Sequence, residues 1–199
     1  MTSSRCPSAR TVRCRGERGV TLIELVIAVS LLALALGGIY AFVVTGAQSA
    51  RLTNDFVQTQ AQVRAALDSI VDESRWAQSV MAASATAVTL LVPQDTPFSA
   101  GSPYTVTFAY AAAADTVTRQ EDPDAGGPQP AGQAEALAFS IVREDGTDGL
   151  AFEYFAADGT ALGSAPADLS LIARVRLTVT TTRDQVSRTF AGDAALRSR

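Results

Sequence analysis

The sequence predicts an α+β fold in which a long N-terminal helix packs against an antiparallel β-sheet domain. Three observations carry that prediction. Residues 20–44 are an apolar run in which Glu24 is the single charge. An amphipathic pattern continues from there to Met81, and no proline occurs between Pro7 and Pro93. From residue 86 the apolar period shortens from three or four residues to two, the change that separates helix from strand.

Residues 1–19 read as a basic leader, with Arg5, Arg10, Arg13, Arg15 and Arg18 against Glu17 alone. With so arginine-rich a segment before the apolar run, an ordinary secretory signal is a poor description. As a helix, residues 20–44 would be about 37 Å long at ~1.5 Å per residue, enough to cross ~30 Å of hydrocarbon with some tilt. Five arginines precede the run and Arg51 follows it, so the positive-inside rule puts the leader in the cytoplasm. Gly37, Gly38 and Gly46 are expected to soften the helix into a bend without breaking it. Beyond Val44, one stripe collects Leu52, Phe56, Val63, Leu67, Ile70, Ala77 and Met81, with Thr59, Gln60 and Ser74 as weaker members. Asp55, Arg64, Asp68, Asp72, Glu73 and Arg75 fall mostly off it. The expected organisation is therefore a leader over 1–19, a helix over 20–82 with its membrane part at 20–44, and a β-rich domain over 83–199.

Within that domain, strands are expected over 86–92, 104–110, 115–120, 136–143, 150–155, 171–181 and 186–190. Tyr104, Val106, Phe108 and Tyr110 share one face of the second of these, and Val175, Leu177 and Val179 one face of the sixth. The three prolines and three glycines of residues 121–135 mark a loop, and Asp158-Gly159 marks a hairpin. Trp76, beside the stripe near the helix end, reads as a core or edge anchor.

The heptapeptide Gly19-Val20-Thr21-Leu22-Ile23-Glu24-Leu25, with an apolar helix directly behind it, resembles the cleavage and methylation site of type IV prepilins and pseudopilins. That site is usually written Gly-Phe-Thr-Leu-x-Glu. Gly19, Thr21, Leu22 and Glu24 match it, whereas Val20 stands where the family most often has Phe. The resemblance implies a pilin-like fold and a prepilin peptidase that cuts between Gly19 and Val20 and methylates the new amine of Val20. It also implies a register role for Glu24 in assembly, with the amine of Val20, its own or a neighbour's, as partner. A carboxylate near the end of a membrane helix is costly and is usually retained for a function. The implied partners are other pilin or pseudopilin subunits, the prepilin peptidase/methyltransferase and the membrane. The implied location is the inner membrane, crossed once from a cytoplasmic N-terminus, and then a periplasmic or cell-surface filament. The strings Phe152-Glu153-Tyr154-Phe155, Asp158-Gly159, Arg174 to Thr178 and Ala195-Leu196-Arg197 are similar to the minor-pilin and J-type pseudopilin group. Secretion pseudopilus, pilus and DNA-uptake filament all stay open.

Composition narrows the chemistry. The chain has no histidine and no lysine, and its two cysteines, Cys6 and Cys14, both lie in the leader. His-based triads, Ser–Lys dyads and cysteine nucleophiles are thereby removed from the mature chain, along with most zinc sites. No catalytic residue, metal site or cofactor is expected. Without the leader the chain holds 11 arginines against 19 acids, a balance that disfavours nucleic acid as a partner. Two acidic clusters, Glu121/Asp122/Asp124 and Glu144/Asp145/Asp148, are candidate calcium ligands, though acids beside glycine are ordinary turn material. Arg174, Arg176, Arg183 and Arg188 are candidates to line one sheet face and touch DNA phosphates, though solvated edge residues are the plainer reading. The competing classes are a single-pass membrane protein with an outward binding or enzymatic domain, and a secreted hydrolase working through paired carboxylates.

Overall fold

The computed structural model describes residues 20–94, 96–98, 102–142, 148–183 and 186–197. The leader, including Gly19, lies outside the described residues. One helix, α1 (Leu22–Trp76), opens the described chain, and two antiparallel sheets follow it. The chain divides into two compact units, Met1–Ala50 and Arg51–Arg199.

In the first unit every residue from Val20 to Ala50 is exposed. Within α1 lies the one segment among the described residues that is long and apolar enough to cross a membrane. Two hydroxyl side chains of that helical stretch bond within the helix itself. Ser30 Oγ donates to the Val26 carbonyl at 2.8 Å and Thr45 Oγ1 to the Ala41 carbonyl at 2.9 Å, so neither adds an unmet donor to an apolar surface. The helix continues through Gly37, Gly38 and Gly46.

In the second unit the remainder of α1 turns its stripe onto the sheets. Val63, Ala66, Ile70 and Val71, with Ala77 just past the helix end, are buried in the common core. The first sheet has the order β1 (Ser79–Ala83), β2 (Ala87–Val92), β3 (Tyr104–Ala111), β4 (Thr116–Asp122) and β5 (Glu135–Ala138), each strand pairing with the next. In the second sheet β7 (Ala161–Gly163) pairs with β6 (Leu150–Phe155), which pairs with β8 (Arg174–Arg183), which pairs with β9 (Val186–Ala195). The expected alternation holds where it was clearest. Tyr104, Val106 and Phe108 are buried on β3, and Val175, Leu177 and Val179 on β8. The two sheets meet at the turn between β1 and β2, where the Tyr154 hydroxyl donates to the Ser84 carbonyl at 2.9 Å and the Phe152 amide to Ala85 at 2.8 Å. Strand β9 presses directly on the helix. A Cβ at Gly192 would sit 2.7 Å from Val71 Cγ2 and 2.8 Å from Leu67 Cδ2, so a larger residue there would force those side chains to shift.

Several boundaries differ from the sequence-based expectation. The helix ends at Trp76, not near residue 82, because Gln78 donates to the Leu91 carbonyl and begins the sheet. Ala77 and Val80 are buried, but Met81, on β1, is 54% exposed and does not belong to the stripe. Glu73 moves the other way, from the polar set to 1% exposure. The fourth expected strand shrinks to β5, beyond which Phe139 is exposed and Ser140 takes a positive φ of 59°. Residues 169–171 form a 3₁₀ turn that Asp168 caps by accepting from the Ser170 amide, which delays β8 to Arg174. Asp158-Gly159 does turn the chain, into the short β7, with Gly159 at φ 87°.

Candidate functional site

The exposed N-terminal turn of α1 holds the described part of the sequence-derived site. Val20 precedes the helix, Thr21 is its N-cap, and Leu22, Ile23 and Glu24 are its first three residues. Thr21 Oγ1 accepts the Glu24 amide at 3.3 Å, and the Thr21 carbonyl accepts the Glu24 and Leu25 amides at 3.1 Å each. A helix leaves its first four N–H groups without intrahelical partners, and a threonine cap meets one of them. Thr21-x-x-Glu24 is thus a capping-box spacing, a helix-start signal carried by the sequence itself. Glu24 at the third position also places a carboxylate at the positive end of the helix dipole. Val20, Leu22, Ile23 and Leu25 are 59–82% exposed, so the turn presents an acid among bare apolar side chains.

A second polar constellation is buried in the folded domain. Arg119, on β4, donates through Nε to Glu73 Oε2 at 2.9 Å and through NH2 to Glu73 Oε1 at 2.7 Å. The same NH2 reaches Glu121 Oε2 at 2.8 Å, while the Tyr104 hydroxyl donates to Glu73 Oε1 at 2.6 Å. The bidentate fork ties α1 to β3 and β4. Hydrogen bonding to Glu73 holds the Arg119 guanidinium above its usual range, against the opposing effect of burial. Glu73 and Glu121 do converge, but on Arg119, whose guanidinium lies between them and bonds to both carboxylates. The helical signal for Glu73 was its position three residues after Ile70, on the buried stripe.

The tyrosines of the domain give this interior an alkaline limit. Burial and the bond to Glu73 push Tyr104 far above the usual phenol range, and burial does the same to Tyr154. Tyr110, through burial and a 2.7 Å hydrogen bond to Asp115, is pushed up to about 12. The unfolded chain ionises these phenols near ~10, so above that pH it binds fewer protons than the folded chain, and stability falls as pH rises. The expected result is full stability below about pH 10 and progressive loss from there through 12, with phenolate absorbance rising together with loss of circular dichroism. Phenolate formation by Tyr104, Tyr110 and Tyr154 at pH 10 in a chain that stays folded would contradict these environments.

The remaining candidates are engaged locally. Arg174 and Arg176 lie 4.4 and 5.2 Å from the Phe155 ring centroid, Arg176 Nε is 3.2 Å from Asp193, and Arg188 lies 6.0 Å from the Phe56 centroid. These arginines stack within their own domain, while the side chain of Arg183 is outside the described residues. In the acidic loop, Asp122 accepts the Asp124 and Gly126 amides, and Asp124 accepts those of Gly127 and Gln129. Those amides, Gln129 foremost, hold the Asp124 carboxyl below its usual range. Glu144 and Asp145 of the second acidic cluster lie outside the described residues. Among the described residues no group of three or more His, Cys, Asp or Glu side chains is arranged to hold a metal ion. Trp76 packs half-buried against the core, with Arg197 5.5 Å from its ring.

Residues 14–40 match the prokaryotic N-terminal methylation motif. The match covers the cleavage-site string and most of the apolar run, and stops short of the β-sheet domain. Curated proteins compared with the whole chain return no significant match.

Proposed function

Starting from a chain that carries the N-terminus of a type IV pilin- or pseudopilin-type precursor, we propose that it is a structural subunit of a filament and not an enzyme. A prepilin peptidase cuts between Gly19 and Val20 and methylates the amine of Val20. Residues 20–44 hold the subunit in the inner membrane, with the leader on the cytoplasmic side, until they enter an apolar helix bundle made with other subunits. Glu24 then pairs with the amine of a neighbouring Val20 and sets the register. The strings in the β-domain favour a minor or J-type subunit over the bulk fibre protein.

One observation carries this reading: the methylation motif runs straight into a helix whose residues are exposed from Val20 to Ala50, large apolar side chains included. Apolar surface on that scale marks a membrane or protein partner. Among the described residues, the carboxylates of the β-domain are bonded to arginine or backbone amides wherever they cluster, which favours assembly over catalysis.

Intact-mass analysis of the chain recovered from cells that carry a prepilin peptidase tests the proposal. The expected species begins at Val20 with one added methyl group. An intact leader, or a start at another residue, sinks it.

A further inference from the structure

We propose that a cavity beside the end of α1 is a binding site for the C-terminus of a partner polypeptide, taking its terminal carboxylate together with an aliphatic last side chain. The proposal is independent of how the N-terminus is processed. The cavity measures about 300 Å³ and lies between the start of β1, the 3₁₀ turn of residues 169–171 and the chain's own tail. Ligand pockets run from about 300 to 1,000 Å³, so this one, half open to solvent, suits a single residue and not a whole cofactor. Two backbone hydrogen bonds fix the tail as one wall: the Leu196 amide donates to the Ala173 carbonyl at 2.9 Å, and the Arg197 amide to the Ala77 carbonyl at 3.1 Å. The Arg197 guanidinium stands 5.5 Å from the centroid of the Trp76 ring. The backbone tie and the ring together limit where that cation can go.

The chemistry of the lining selects the ligand. A guanidinium offers a carboxylate two parallel N–H donors, and among the described residues no ion pair includes Arg197. Ile172 is buried, and Leu169 and Leu196 pack on the core, so aliphatic side chains form the apolar wall. An aliphatic group placed against them leaves water. Ser79 and Ser170 add hydroxyls and Gln78 an amide, enough to meet a neutral peptide group. No acidic side chain lines the cavity. Asp168, which caps the turn, already accepts the Ser170 amide at 2.9 Å and the Ser170 hydroxyl at 2.6 Å. A free amino acid would therefore bring an ammonium group with no carboxylate to meet it, whereas a chain end brings a neutral amide in the same place. That difference favours the end of a polypeptide.

The test uses the full-length protein in detergent and N-acetyl-leucine, which carries the carboxylate, side chain and amide of a C-terminal leucine. Saturation-transfer NMR reads binding of this compound directly, and the fluorescence of Trp76, the single tryptophan, reads it next to Arg197. Saturable binding with a low-millimolar Kd is expected, on the order of what a ligand of about a dozen non-hydrogen atoms reaches. Arg197→Gln removes the charge, and Ser79→Leu fills the cavity while keeping Arg197. Each is expected to weaken binding at least about tenfold. Neither position belongs to the core, so both variants are expected to keep the wild-type circular dichroism. N-acetyl-leucinamide, which lacks the carboxylate, and free leucine, which carries the ammonium, are expected to bind at least about tenfold more weakly than N-acetyl-leucine. Absence of saturable binding overturns the proposal, as does binding that Arg197→Gln or Ser79→Leu leaves unchanged. Equal binding of N-acetyl-leucinamide overturns the carboxylate as the recognised group, and equal binding of free leucine overturns the chain end in favour of a free amino acid.

Discussion

On the proposed function, Glu24→Gln is expected to be cut after Gly19 at the normal rate but to enter filaments at least about tenfold less often than wild type when the two compete in one cell. The substitution keeps the size of the side chain and removes its charge. In the membrane before assembly the change is favourable, because an ionised carboxylate in an apolar segment is costly and an amide is less so. Against a neighbouring amine it is unfavourable. Two unit charges 4 Å apart attract by about 4 kcal/mol at an effective dielectric constant of 20, and part of that offsets desolvation. A tenfold defect needs only about 1.4 kcal/mol of the remainder. Quantifying each subunit in purified filaments against its processed pool in the membrane decides the matter. Equal incorporation of Glu24→Gln would remove the register role and leave Glu24 as a residue of the helix's first turn.

The other large effect lies in the folded domain. Glu73→Ala should destabilise it by about 3 kcal/mol, at the lower end for breaking a buried ion pair because the Arg119 side chain is 21% exposed and retains Glu121. The loss comes mainly from what is left behind, a guanidinium and a buried Tyr104 hydroxyl without their acceptor. Replacing the buried group, as Glu73→Leu with Arg119→Leu and Tyr104→Phe, should recover most of the stability, since no buried polar group is then orphaned and Glu121 is exposed to water. Trp76 is the single tryptophan of the chain and sits at the end of the same helix, so its fluorescence reports the denaturant midpoint directly. A Glu73→Ala midpoint equal to wild type would mean that water or Glu121 satisfies Arg119 fully.

The period of two was legible on β3 and β8 because each has one wholly buried face, and a one-residue slip there would turn every core side chain outward. The start of the helix was legible because charge and apolarity change together at Val20. Its end was not. Ala77 and Met81 continue a three-to-four-residue spacing from Ile70, but the same positions serve a strand that buries Val80 and leaves Met81 out. Short apolar runs fit either period, and pairing with β2 settled the choice. β7 escaped notice because three residues carry too little pattern to register. Glu73 escaped because charge places a residue on the solvent side in any one-dimensional reading, while its partner Arg119 lies 46 residues away.

The N-terminal segment is the part that sequence alone determined. The methylation motif, an apolar span and a single acid are local properties, and the helix there needs no distant residue to define it. Even its cap is local, since Thr21 and Glu24 are three residues apart. Tertiary structure decided the rest: two sheets in place of one or two, the helix end at Trp76, and the burial of Glu73 against Arg119 and Tyr104. Those outcomes depend on which side chains from distant strands meet the stripe of α1. Low-dielectric contact between such groups gives a buried carboxylate its partners, and no short window of sequence contains both members of the pair.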